Sequence, residues 1–191
     1  MAIVTTCGNS PRADEKNSKN FQKPLDKLQK ICYNIITEKE RNGMNMTKAI
    51  YFDMDGTIAD LYGVEGWLND LESENERPYA TAKPLIRMSA LARVLNRLQR
   101  NGYIIGIVSW LSKCGSDEYN EKVTYAKREW LKKHLASVNF DEINIVKYGT
   151  PKSTVVGIQG GILFEDEERN RTEWNGTAYN VDNILNVLKA L

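Results

Sequence analysis

The chain has 191 residues, 41% of them hydrophobic, enough to bury one sizeable core and too few for two full domains. Lys and Arg number 26 against 25 Asp and Glu, a formal charge of +1, which excludes a polyanion-binding surface spread over the whole molecule. The three cysteines (Cys7, Cys32, Cys114) show no CxxC spacing, which argues against a disulfide framework or a zinc site, and no apolar run reaches the roughly 18–20 residues that span a bilayer. With no basic stretch leading into an apolar segment at the N-terminus, the expectation is a soluble protein of a reducing cytoplasm, with no membrane partner.

Residues 1 to 20 are rich in Asn, Ser, Lys and Asp without a sustained period, which predicts disorder. From Pro24, the residues Leu25, Leu28, Cys32, Ile35 and Ile36 recur at helical spacing and predict one amphipathic helix ending near Asn42-Gly43. Docking on the domain or a mobile arm is the plain reading of that helix; binding a membrane surface or a partner helix is the other. Residues 1 to 45 carry eight basic and five acidic side chains, too weak a bias for a nucleic-acid arm. They form an N-terminal extension, and residues 46–191 form the domain.

Within the domain, Ala49 to Asp53 reads as a short buried strand. Residues 58 to 86 have room for one or two short helices, around Trp67, Leu68 and Leu71, and a polar loop broken by Pro78 and Pro84. Met88 to Arg100 places Leu91, Val94, Leu95 and Leu98 on one helical face and stops at Asn101-Gly102. Tyr103 to Ser109 predicts a strand, Asp117 to Leu135 a charged amphipathic helix, and Glu142 to Val146, Gly161 to Glu165 and Ala178 to Val181 three more strands. Asp182 to Leu191 predicts a last helix capped by Asp182. Strand and helix taking turns imply an α/β fold: a Rossmann-like three-layer sandwich with a central parallel sheet and helices on both faces.

Such sheets bind ligands beyond the carboxyl ends of their strands. The first strand ends in DMDGT (53 to 57), which puts Asp53 and Asp55 there with a glycine turn whose Gly56 and Thr57 N–H groups suit a phosphate. Two neighbouring carboxylates raise each other's pKa unless a cation holds them ionised, and oxygen ligands of this kind suit Mg²⁺. Three further strand ends bring Ser109, then Lys152 in GTPKST (149 to 154), then Glu165-Asp166 in ILFEDEERN (162 to 170). Acid pair, hydroxyl, lysine and acid pair together describe a phosphate and metal site.

DMDGT, Ser109 after IIGIV, Lys152 in TPKST and EDEERN resemble the four ordered motifs of the haloacid dehalogenase-like phosphohydrolases, over residues 47 to 191. Within that superfamily the chain is most similar to small 5'(3')-deoxyribonucleotidase-like members, including those common in phage genomes. The resemblance implies that Asp53 attacks phosphorus to form an aspartyl-phosphate and that Asp55 protonates the leaving group and then activates water. It places the phosphate against Gly56, Thr57, Ser109, Trp110 and Lys152, and Mg²⁺ against Asp53, the Asp55 carbonyl and Asp166. The resemblance further implies that Glu165 supports these ligands or replaces one as an alternate ligand, and that Asn170 orients them. Residues 58–86 become a small cap. In it Tyr62, Trp67 and Tyr79 either stack on a base or form the cap's own core, while Lys83 or Arg87 meets a second charge.

The expected activity is a Mg²⁺-dependent phosphomonoesterase acting on a small phosphate ester, a nucleoside monophosphate foremost. The alternatives are a phosphatase of nucleic-acid ends or of a phosphoprotein, and a catalytically idle phosphate-binding module.

Overall fold

Four consecutive apolar residues form β1 (Ala49–Phe52), and all four are buried, the pattern of a strand covered on both faces. The structure, a computed structural model, describes residues 48–191. The expected polar stretch and amphipathic helix of residues 1 to 45 lie outside the described residues. After β1 come β2 (Ala59–Asp60), α1 (Trp67–Glu72), α2 (Arg77–Thr81), β3 (Lys83–Pro84), α3 (Met88–Arg100), β4 (Ile104–Trp110), α4 (Asp117–His134) and β5 (Glu142–Val146). A 3₁₀ turn at Lys152–Thr154, β6 (Ile162–Phe164), α5 (Glu168–Thr172), β7 (Thr177–Tyr179), a second 3₁₀ turn at Val181–Asn183 and α6 (Ile184–Ala190) complete the order.

The five longer-range strands make one sheet in the order β5-β4-β1-β6-β7, every pair parallel. The steps β1 to β4 to β5 run in one direction, so right-handed crossovers put α3 and α4 on the same face. The chain then returns across the other face to β6, and α5 leads to β7. Alternation along β1 divides the core accordingly. Ile50 and Phe52 pack with Leu91, Leu95 and Leu98 of α3, Trp130 and Leu131 of α4, and Ile184 and Leu188 of α6. Ala49 and Tyr51 face Val156, Leu163 and Trp174 instead.

The sandwich is therefore asymmetric. Its second outer layer is the irregular stretch 147–161, with Trp174 at the end of the short α5, because the glycines and proline of that stretch carry no helical period. A polar clamp holds it to the sheet. The Tyr51 hydroxyl donates to Glu142 Oε1 (2.6 Å) and accepts from the Ile158 N–H (3.2 Å), while Glu142 Oε2 accepts from the Gly157 N–H (3.0 Å). Gly106 makes room for the clamp, since a Cβ there would stand 2.6 Å from the Tyr51 ring.

β2 and β3 pair antiparallel, Ala59 with Pro84 and Asp60 with Lys83, and close the base of an insertion that carries α1 and α2. A small core of Leu61, Tyr79, Tyr119, Val123 and Ala126 joins this insertion to α4. Glu74, in the left-handed region at φ 54°, accepts from both the N–H and the hydroxyl of Ser116, each at 2.7 Å. The Trp130 indole donates to the Ala82 carbonyl at 2.7 Å.

One expected terminus is corrected. Asp182 does not cap the last helix: Asn180 Oδ1 accepts from the Val181 N–H and starts a 3₁₀ turn, so α6 begins only at Ile184. No helix among the described residues is long and apolar enough to cross a membrane.

Candidate active site

Beyond Phe52 the backbone still bonds to the sheet, with the Asp53 N–H on the Phe164 carbonyl at 3.0 Å. It then turns sharply. The Thr57, Ile58 and Ala59 N–H groups all converge on the Met54 carbonyl, at 3.2, 3.0 and 2.8 Å. Gly56 sits in this turn at φ 73°, where a Cβ would press on the Asp166 carboxylate and stand 2.9 Å from the Tyr62 ring. Thr57 Oγ1 donates to Asp166 Oδ1 (3.3 Å) and accepts from the Asp166 N–H (3.2 Å), tying the β1 turn to the end of β6.

The 3₁₀ turn delivers Lys152 to the same place. Its Nζ stands 2.5 Å from Glu165 Oε2 and 2.9 Å from Asp53 Oδ1, and all three side chains are buried. The Glu165 bond is aligned, whereas Asp53 Oδ1 is held by charge and accepts no aligned hydrogen bond from the described residues. The Lys152 ammonium lies over the Trp110 ring, 5.1 Å from its centroid. Trp110 in turn is anchored by its indole N–H on the Thr150 carbonyl at 2.8 Å. The indole donor is thus spent on the loop that carries Lys152.

Asp55 has a different partner. Lys127 of α4 is 1% exposed, and its Nζ donates to Asp55 Oδ2 (2.7 Å), Ser109 Oγ (2.9 Å) and the Trp110 carbonyl (2.6 Å). Sequence reasoning read α4 as charged and amphipathic and passed over this residue. Its signal is positional: Lys127 lies four residues after Val123 and three before Trp130, inside the buried stripe of the helix. A lysine there is costly unless it is fully paired.

Asp53, Glu165 and Asp166 can each offer an oxygen within 4.8 Å of the others, a set of hard oxygen donors that fits a divalent cation such as Mg²⁺. Crowding shows in their titration. Burial pushes Asp166 above the usual carboxylate range, and the charge of Asp53 adds to it. Burial also pushes Glu165 up to about 8, with Asp53 adding and Lys152 opposing. Asp55 is raised by burial too, against the pull of Lys127. Lys152 is depressed by burial but raised overall by Asp53 and Glu165. Within the cluster, Glu165 is already committed, to Lys152 through Oε2 and to the Glu167 N–H through Oε1 (3.2 Å). Asn170 is buried but reaches Glu167 (Nδ2 to Oε2, 3.4 Å), not Asp166. Arg171, unremarked in the sequence, donates to the Glu165 carbonyl at 2.9 Å and braces the backbone of the acid pair.

Asp53, Asp55, Lys152, Glu165 and Asp166 open into one cleft of about 180 Å³, walled by Tyr62, Trp67, Tyr79, Trp110 and Tyr148. Ser109 lies fully buried behind it, on Lys127. The expected aromatics divide. Tyr79 is 4% exposed and belongs to the insertion's core, while Tyr62 is 48% exposed and stands edge-on to Trp67 at the mouth. Lys83 and Arg87 do not line the cleft, because β3 and the start of α3 turn them away; the rim cation is Lys113, beside Tyr148.

No protein-family model matches this chain, and no curated protein matches it. Among solved structures it is similar to D,D-heptose 1,7-bisphosphate phosphatase from Burkholderia thailandensis, at 16% identity over 65% of this chain and 69% of that one, with a TM-score of 0.42.

Proposed function

We propose that the chain is a Mg²⁺-dependent phosphomonoesterase of the haloacid dehalogenase-like kind, acting on a nucleoside monophosphate through an aspartyl-phosphate on Asp53. One observation carries the reading: a buried Asp53 faces a buried lysine at 2.9 Å in the same cleft as Asp55 and Asp166, at the carboxyl ends of adjacent parallel strands. Structural ion pairs need no cleft, and a core needs no such crowd of acids.

Asp53 is the nucleophile. Its carboxylate oxygen bonds to phosphorus as the ester P–O bond breaks, and the departing oxygen takes the Asp55 proton. Water then attacks the acyl phosphate, Asp55 takes back a proton, and phosphate leaves with Asp53 restored. Burial favours the protonated form of Asp55, as a general acid requires. Lys152 and the Ser109 hydroxyl offset charge on the transferring group; the Gly56 and Thr57 N–H groups, expected to meet the phosphate, are spent instead on the Ala59 and Met54 carbonyls of their own turn. Trp110 serves as a wall that keeps Lys152 in place. Asp53, Asp166 and the Asp55 main-chain carbonyl would hold Mg²⁺, with Glu165 fixing Lys152 behind them. Bound there, the cation supplies positive charge to the phosphate oxygens and lets neighbouring carboxylates stay ionised.

Support for a nucleoside comes from the aromatic mouth, where Tyr62, Trp67, Trp110 and Tyr148 line a cleft that admits little more than the phosphate. A screen of phosphate release from nucleoside monophosphates, sugar phosphates and phosphorylated oligonucleotides, with Mg²⁺ and with EDTA, tests it. Release from nucleoside monophosphates that EDTA stops is expected. Release from oligonucleotide ends alone overturns the substrate, and no release from any ester overturns the activity.

A further inference from the structure

We propose that Lys127 is a positioning residue of the phosphoryl-transfer site, holding the acid Asp55 and the hydroxyl of Ser109 in one fixed arrangement from α4. The assignment rests on the phosphomonoesterase reading above. An ammonium has three hydrogens, and Lys127 has three acceptors, Asp55 Oδ2, Ser109 Oγ and the Trp110 carbonyl, all within 2.9 Å. None is left for a substrate, so Lys127 acts through its partners.

Each bond has a consequence. Ser109 accepts from Lys127, which leaves its own hydrogen for another acceptor, a phosphate oxygen in the cleft. Asp55 gives Oδ2 to Lys127, which leaves Oδ1 to carry the proton. As the bond from Asp53 to phosphorus forms and the ester P–O bond breaks, that proton passes to the departing oxygen, and Lys127 faces the carboxylate that results. The third bond locks the end of β4. The Tyr79 ring, 5.1 Å from Nζ, closes the site from the insertion side. Asp55 on the β1 turn, Ser109 on β4 and Tyr79 on α2 therefore meet on one side chain.

A purely structural lysine and a positioning lysine differ in what their loss does to esters of unequal leaving group. p-Nitrophenyl phosphate departs without a proton, whereas a nucleoside monophosphate needs one. Lys127→Met is expected to lower kcat/KM for the nucleoside monophosphate by about 100-fold and for p-nitrophenyl phosphate by less than about 10-fold. In an Asp55→Asn background the same substitution should cost little more, because the two groups act as a unit. Equal losses on both esters, or full additivity with Asp55→Asn, would overturn the assignment while leaving the activity in place. If circular dichroism shows Lys127→Met unfolded, Lys127→Gln, which keeps a donor, is compared on the same two esters. A smaller loss with the same leaving-group bias supports the assignment, and equal losses overturn it. Wild-type protein that turns over neither ester overturns the phosphomonoesterase reading itself, and the role of Lys127 with it.

Discussion

Lys152 Nζ bridges Asp53 Oδ1 at 2.9 Å and Glu165 Oε2 at 2.5 Å, so a single buried cation offsets two buried acids drawn from different strands. Removing it leaves both uncompensated. Lys152→Met should lower unfolding stability by about 3–5 kcal/mol, as read by urea denaturation without metal, and added Mg²⁺ should recover part of that loss. A variant as stable as wild type would mean that the three charges do not share one buried site.

Asp53→Asn should abolish phosphate release while cooperative unfolding is retained, since Lys152 keeps its aligned bond to Glu165. Rates near those of wild type would reject Asp53 as the nucleophile.

Three acids against one lysine leave a surplus of negative charge, and burial with the Asp53 charge pushes Glu165 up to about 8 from its ordinary 4.5. The proton belongs to the cluster as a whole. Between those values the metal-free folded chain holds a proton that the unfolded chain releases, so this contribution to stability is full below pH 4.5 and is lost as pH climbs through 8. Glu165→Gln should flatten that decline in melting temperature. Mg²⁺ needs the ionised cluster, so its affinity should rise over the same window with release of protons. Titration calorimetry in buffers of different ionisation heat reads this directly, and an affinity indifferent to pH would contradict it.

Gly56→Ala combines two costs. The φ of 73° strains any L side chain by about 1–2 kcal/mol, and the new methyl meets Asp166 and Tyr62. Turnover and Mg²⁺ affinity should both fall, the second because Asp166 must shift. Unchanged affinity would separate Asp166 from the metal site.

Glu74 clasps the insertion to the start of α4 through two bonds from Ser116, which hold its carboxyl below the usual range. Glu74→Ala should raise KM more than it lowers kcat, because the loosened wall carries Tyr62, Trp67 and Tyr79 while the acids stay on the sheet. A fall in kcat alone would show that the insertion serves the chemistry and not binding.

Most of the sheet was legible because buried parallel strands declare themselves as short apolar runs between helical periods. Met88–Arg100 and Glu142–Val146 match their expected spans, and the remaining main elements differ by a few residues at their ends. Asp182 misled because Asn180 stands two residues earlier with the same capping chemistry, and only the path of the chain decides between them. Lys127 was hidden among the many charges of α4: its side chain is read as solvated until the stripe it occupies is known to face Asp55.

Sequence alone determined which groups stand at strand ends, because a side chain's place along a strand follows from local periodicity. It thus named Asp53, Asp55, Ser109, Lys152 and the acid pair Glu165-Asp166 as one candidate set. Only the tertiary structure decided how those charges are partitioned, Lys152 to Asp53 and Glu165, Lys127 to Asp55 and Ser109, with no lysine among the described residues paired to Asp166. The reason is physical: pairing depends on distances of a few ångströms between residues as far apart in the chain as Asp53 and Lys152 or Asp55 and Lys127, and no local pattern encodes them.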